Sequence, residues 1–410
     1  MNSFELVLRH AAIDDTKALV DIALSGDRIA ALGQVAGEGK AEIDLAGRVV
    51  LPGFVESHIH LDKACILDRC GHVHGGLKNA IQMVSEMKTK FTVDDIYARG
   101  ARVIEAAITQ GTTHMRAHTE LDSRIGLRGF EAIRALKKDY AWALDLSICV
   151  FPQEGMTQVP EVENLLLAAL DQGADVLGGC PYTDTDPTLQ IDRIFSFARH
   201  FDVDLDFHLD FDLDPSWDHL GEVCRQTIAT GYQGRVAVGH VTKLSMLPPQ
   251  ELASAAWMLG DAGIAVTVLP STDLYLMGRD HSFALPRGLT PAHLLLEHGV
   301  PCAIASNNLL NPFTPFGDAS LLRMANLYAN VAQVGPEGFA RCLDMITVLP
   351  AQMMKLKDYG LAVGSKADLV VLDAATPSEA LAAISPALMG FKNGRQTFSR
   401  KPAEIHFPLK

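Results

Sequence analysis

Ile108-Thr109-Gln110-Gly111-Thr112-Thr113-His114-Met115-Arg116-Ala117-His118 reads as a helix end, a glycine and a buried strand, in that order. Glycine suits the residue after a helix because the left-handed turn there costs it nothing. The same ending recurs at Leu170-Asp171-Gln172-Gly173, Ile228-Ala229-Thr230-Gly231, Asp261-Ala262-Gly263 and Leu296-Glu297-His298-Gly299. Candidate strands follow, at 113–118 after the first and at 174–177, 235–240, 264–269 and 300–306 after the others. Two more, 144–151 and 203–208, come after helical segments near 130–140 and 190–201, and a strand at 49–58, opened by the apolar run Val49 to Val55, brings the total to eight. Thr92-Val93-Asp94-Asp95 supplies an N-cap and first-turn acids ahead of Ile96, Val103, Ile104 and Ala107 at helical spacing. Eight strands alternating with helices predict a closed (β/α)8 TIM barrel in the α/β class. No Gly-rich phosphate fingerprint follows any strand, which removes the main support for a doubly wound sheet.

Both ends of the chain have a different texture. Residues 4–50 alternate short apolar runs with turns such as Gly26-Asp27, and the C-terminal part offers the strand Leu369-Val370-Val371-Leu372 and an Asn393-Gly394 hairpin turn. Neither end is large enough for a good core alone, so both are expected to pack as one small β-sandwich domain. The expected organisation is a β part over residues 1–50, the barrel over 51–355 and the second β part over 356–410.

The chain has 410 residues, 48% of them apolar and 20% charged, as a well-filled core requires. A net charge of -14 without a Lys/Arg cluster argues against a nucleic-acid partner. Seven scattered cysteines without a CxxC pair fit reduced thiols in a cytoplasmic protein. No signal peptide and no membrane span are expected, since no apolar run approaches the roughly 20 residues that a bilayer needs.

In a barrel of this kind the chemistry belongs at the C-terminal strand ends. Those ends carry His58 and His60, His118, Gln153, His208 with Asp210, His240, and Ser306-Asn307-Asn308. His58 and His60 alternate onto one face and together can hold a metal ion, although strand histidines are often plain core residues. Convergence of several at one mouth favours the metal. A second pair, His72-Val73-His74 before Gly75-Gly76, has no apolar strand leading in and reads as a loop, with a substrate-facing role as the alternative.

Several stretches carry a family resemblance: Phe54 to Lys63, Gly111 to His118, Val150 to Gly155, Phe207-His208, Gly239-His240, Leu274 to Arg279, Ser306 to Asn308, Asn311 to Gly317 and Gly364 to Leu369. Together they resemble the amidohydrolase superfamily, in its branch of cytosine deaminase and N-isopropylammelide isopropylaminohydrolase. The resemblance implies one divalent ion, Zn or Fe, on His58, His60 and His208 with a fourth ligand from the strand-8 end. It also implies that His240 orients the attacking water and that Gln153 bonds the ring of a small heterocyclic substrate. Relatives with two metals carry a bridging lysine on strand 4, and Ala174 to Cys180 has none. Relatives often assemble, so a homo-oligomer is an open expectation.

The chain departs from this pattern at two positions. Asn307, followed by Asn308, stands where relatives place an aspartate, and a neutral amide can offer a carbonyl oxygen to a metal but cannot take up a proton at working pH. Phe211 stands where cytosine deaminases place a proton-shuttling glutamate. Alternation along strand 5 puts Asp206, Asp210 and Asp212 on the side of His208, which makes Asp210 the candidate proton carrier unless the stripe is a solvated strand extension. Lys63, Asn308 and His118 are expected near the substrate, His118 otherwise as support for the ligands. Trp217, in the run Asp210 to Asp218, reads as a lid, and Arg279, Asp280 and His281 are weaker candidates. The expected activity is metal-assisted hydrolysis of a C–N bond in a cytosine-like or triazine-like amine. Its rival is a catalytically altered or silent relative that binds a heterocycle, prompted by Asn307.

Overall fold

The computed structural model describes residues 4–16, 18–71 and 75–406. The chain opens with β1 (Phe4–Ala12), β2 (Leu19–Ser25), β3 (Arg28–Gly33), β4 (Gly39–Asp44) and β5 (Val49–Pro52). It then enters the parallel strands β6 (Phe54–Ile59), β7 (Thr112–Glu120), β8 (Asp145–Phe151), β9 (Val176–Leu177), β10 (Asp204–Leu209), β11 (Val236–His240), β12 (Ile264–Val268) and β13 (Cys302–Ile304). It closes with β14 (Leu369–Leu372), β15 (Ala387–Lys392) and β16 (Arg395–Ser399).

Strands β6 to β13 pair in sequence order, each parallel to the next, with helices between. The ring closes where Asn307 N–H donates to the His58 carbonyl at 2.9 Å and His60 N–H donates to the Asn307 carbonyl at 2.7 Å. The Glu56 carboxylate accepts the Ser306 N–H across the same seam at 3.1 Å. This is the (β/α)8 barrel that the repeated unit predicts. All five helix-ending glycines, Gly111, Gly173, Gly231, Gly263 and Gly299, have φ between 58° and 94°, the left-handed region that motivated the reading.

The run read as one strand over 49–58 is divided. Val49–Pro52 pairs antiparallel with β14, and after Gly53 the chain enters the barrel, where Phe54 N–H donates to the Gly111 carbonyl at 2.9 Å. Gly53 marks the crossing because a Cβ there would lie 2.2 Å from the Thr113 side chain. Apolar character runs from Val49 through Val55 because both strands are buried, one in each sheet.

Both termini contribute to one sheet, ordered β16-β15-β14-β5-β1-β2-β3 with β4 beside β1. Its own apolar core includes Leu8, Ile22, Ile29, Val50, Val371 and Phe391. Asn393 (φ 49°) and Gly394 (φ 75°) form the hairpin turn between β15 and β16, as the Asn-Gly pair predicts. Lys392 fastens this sheet to the barrel. Its fully buried ammonium lies 2.7 Å from Asp368 and 2.7 Å from Asp145 at the start of β8. Burial, with Lys392 alongside, pushes His114 down to about 4, so this neighbour stays neutral. Lys392→Met strands a buried Asp368 carboxylate, and a loss of about 3–5 kcal/mol is expected in urea unfolding.

Candidate metal centre and active site

The ends of β6 and β10 bring three imidazoles to one point. His58 Nε2 lies 3.0 Å from His208 Nε2, and His60 Nε2 lies 3.1 Å from the same atom. All three rings are buried. Burial first, then the mutual influence of the ring cluster and, for His60, of Lys63, holds them well below the ordinary histidine range, so they are neutral. His60 Nδ1 donates to the His118 carbonyl at 3.1 Å, which leaves the His60 Nε2 lone pair facing His208.

This donor set fits a divalent cation. A proton on His208 Nε2 can serve well only one of its two neighbours, whereas a cation accepts all three lone pairs together. His58, His60 and His208 are also close enough as a set to share one ion. Neutral imidazole suits Zn, Fe and neighbouring ions. Asn307 sits at the seam, bonded through its backbone to both His58 and His60, with φ 61°. Its side-chain Oδ1 is buried without a hydrogen-bond donor, as an oxygen reserved for a cation would be.

His240 ends β11 and is also buried. Its Nδ1 lies 2.6 Å from Asp273 Oδ1, and its ring stacks on Phe211 with centroids 3.6 Å apart. His240 and Val241 both occupy the left-handed region, at φ 69° and 42°. The Thr290 hydroxyl pins that turn by donating to both carbonyls at 2.9 Å. Asp273 is absent from the sequence reading. It lies in the first turn of the helix Pro270–Leu276, where an acid looks like ordinary end chemistry.

Asp210 occupies a different place from the one that alternation implied. β10 ends at Leu209, and Asp210 turns left-handed at φ 47°. Its carboxylate accepts the backbone N–H of His219 at 3.0 Å and of Leu220 at 3.1 Å, at the start of the helix Leu220–Thr230. The carboxylate expected to carry protons is thus engaged in holding the loop that precedes this helix. Asp206 faces Arg116, 2.8 Å away, and Asp212 lies 3.3 Å from Lys243. His118 is fully buried and stacks on the His58 ring at 3.6 Å, a packed place rather than one open to a substrate.

On the opposite wall, Lys63 Nζ donates to Glu120 Oε1 and, at 3.3 Å, to Gln153 Oε1. Lys88 reaches the other Glu120 oxygen at 2.6 Å, Asp122 at 2.6 Å and Glu154 at 2.7 Å. Burial works to raise Glu120, but Lys63 and Lys88 outweigh it and hold its carboxyl down at about 2. Asp62 goes the other way, raised to about 6 by burial and by Glu120. Lys88 and Glu120 had no signal in the sequence, since a lysine in a last helical turn reads as a solvated cation. Asn308 Oδ1 accepts from Asn311 Nδ2 at 2.8 Å.

Tyr182, Phe211, Trp217, Asp212, Leu77 and Ile81 line a cavity of about 640 Å³, and Phe211 connects it to the His240 ring. Lys243 lies above the Trp217 ring at the edge of this space. Asp280 also lines this space, while Arg279 lies over the Tyr275 ring. The pair His72 and His74 lies outside the described residues. No helix among the described residues is long and apolar enough to cross a membrane.

The family model described as "Amidohydrolase family" matches residues 41–139 and 95–398. The chain is 27% identical over 411 residues to N-isopropylammelide isopropyl amidohydrolase of a Pseudomonas species, covering 96% of each chain. It is 29% identical over 350 residues to pterin deaminase of Rhizobium rhizogenes, covering 83% of this chain and 78% of the relative. The crystal structure of 5-methylcytosine deaminase from Klebsiella pneumoniae liganded with 5-fluorocytosine superposes with a TM-score of 0.93 at 27% identity, covering 98% of this chain and 99% of that one.

Proposed function

Since the chain belongs to the amidohydrolase family, on its cytosine deaminase and isopropylammelide hydrolase branch, and is a hydrolase of carbon–nitrogen bonds, we propose that it removes an amine from a small nitrogen heterocycle. The observation that carries this reading is the meeting of three neutral imidazoles, with His58 Nε2 and His60 Nε2 at 3.0 and 3.1 Å from His208 Nε2, and Phe211 joins the adjacent His240 ring to an aromatic-lined cavity. The substrate class is a cytosine-like, triazine-like or pterin-like amine, by analogy with what the relatives are named for.

His58, His60 and His208 would hold one divalent ion, Zn or Fe, with Asn307 Oδ1 as the fourth ligand. That ion, when bound, supplies the Lewis acidity that lets water attack a ring carbon at neutral pH. The remaining roles belong to side chains. His240 Nε2 takes a proton from the attacking water and returns it to the departing amine, because Nδ1 is already committed to Asp273. Gln153, Lys63 and Asn308 bond the polar edge of the ring, and Phe211 and Tyr182 exclude water around it. His118 holds the His58 ring by stacking, and Asp210 anchors the loop that carries Trp217.

A second reading, a silent relative that binds a heterocycle without cleaving it, draws on the neutral Asn307 in the ligand set. Elemental analysis of the purified chain separates the two. About one Zn or Fe per chain, followed by release of ammonia or alkylamine from a panel of cytosine, triazine and pterin amines, is the expected result. A chain that holds no metal and takes up none of Zn, Fe, Mn or Co overturns the hydrolase reading.

A further inference from the structure

We propose that Asp273 is the positioning residue of this site: it fixes His240 as the Nδ1–H tautomer and turns the Nε2 lone pair toward the barrel mouth. This rests on the hydrolase reading for its consequence, though not for its geometry. Burial raises the Asp273 carboxyl, while the His240 ring and the Leu269 N–H favour its anion, and that anion only accepts hydrogen bonds, so the 2.6 Å contact places the proton on Nδ1. The pair is out of water, with His240 1% and Asp273 0% exposed, so solvent offers no competing partner. Other His–carboxylate contacts near the mouth are looser, at 3.4 Å for His118 with Asp206 and 3.4 Å for His219 with Asp210.

Two further contacts leave the ring little freedom. Phe211 stacks on it at 3.6 Å with an interplanar angle of 20°, and Thr290 holds the left-handed turn that carries it. The other Asp273 oxygen accepts the Leu269 N–H at 3.2 Å, which fixes the carboxylate in turn. With a neutral amide at Asn307 and Asp210 bonded to a helix start, the His240–Asp273 pair is the acid–base couple best placed to serve the chemistry.

A purely structural role is the competing account, since the bond to Leu269 also supports the start of the helix Pro270–Leu276. Asp273→Asn separates them in the metal-loaded full chain. The amide keeps its size, and with its oxygen on the Leu269 N–H its NH2 faces His240 Nδ1, which drives the ring proton to Nε2. Expected is a tautomer change in 15N spectra of histidine-labelled protein, with the His240 signal assigned by its loss in His240→Gln. Metal content stays unchanged, kcat falls by roughly 30-fold and KM moves by less than about threefold. On a His240→Gln background the same substitution should leave the residual rate unaltered.

A wild-type spectrum with His240 protonated at Nε2 overturns the proposal, and so does an Asp273→Asn enzyme within about threefold of the parental kcat. Should the variant fail to fold, the wild-type spectrum alone decides. A chain that turns over no heterocycle while its spectrum shows Nδ1–H refutes the proposed function and leaves this assignment standing.

Discussion

His208→Ala is expected to abolish metal retention, from about one ion per chain to less than about a tenth, and to lower heterocycle hydrolysis by about 10³-fold or more. His208 is the hub of the cluster: its Nε2 is the atom that both His58 Nε2 and His60 Nε2 approach, at 3.0 and 3.1 Å. Without it, two imidazoles from one strand remain, and the strand on the far side of the barrel contributes nothing. The fold should survive, because the ring is neutral and packs flat on Phe151 at 4.3 Å, so its loss strands no charge. His200→Ala, an exposed histidine on the helix Pro187–Phe201, is the control that changes neither quantity. Plasma-emission metal analysis of both variants, with amine release on the same preparations, checks this. A His208→Ala protein that still carries a full equivalent of metal removes these three residues as its binding site.

Of what the sequence disclosed, the shared face and the shared rim follow from backbone periodicity, whereas the grouping of His58, His60 and His208 as one ligand set came from the family resemblance. His58 and His60 share a face because strand side chains alternate, and His208 joins them because its strand ends at the same rim. The glycines that close five helices were legible for a similar reason: a left-handed turn is a backbone demand that one residue type meets most cheaply. The same logic misplaced Asp210. It assumed that β10 continues, whereas the chain turns left-handed one residue beyond Leu209, at an aspartate whose tolerance of that turn alternation does not register.

What stayed hidden depends on pairing between distant segments. Asp273 matters because it meets a histidine that precedes it by a strand and a helix, and Lys88 matters because three carboxylates surround it. Neither pairing has a local pattern. The passage from terminal sheet to barrel at Gly53 was hidden for the opposite reason: the residues on both sides of it, Val49 to Pro52 and Phe54-Val55, are apolar, so hydropathy cannot tell which sheet buries which half.

Asn307→Asp is expected to tighten divalent-metal binding by at least about 100-fold while destabilising the metal-free protein by about 1–3 kcal/mol. The substitution is nearly isosteric, and aspartate tolerates the left-handed φ of 61° about as well as asparagine, so the seam bonds to His58 and His60 should persist. What changes is charge in a buried place. The amide oxygen has no donor there, and the neighbouring imidazoles are held neutral, so a carboxylate meets no positive partner until a cation arrives. An acid in that position has a folded pKa above its unfolded value of about 3.9. The destabilisation is therefore absent below that pH, grows as pH rises toward the folded pKa, and is constant beyond it. In the presence of chelator, the melting difference from the parent should be small at pH 4 and about 2–4 °C or more at pH 8. Added Zn should reverse it, because the ligand set then contains the charge that balances the ion. Chelator competition and thermal melts at the two pH values measure both halves. A variant with unchanged affinity and unchanged metal-free melting would mean that Asn307 Oδ1 does not face the ion, and the fourth ligand would have to be sought elsewhere at the barrel mouth.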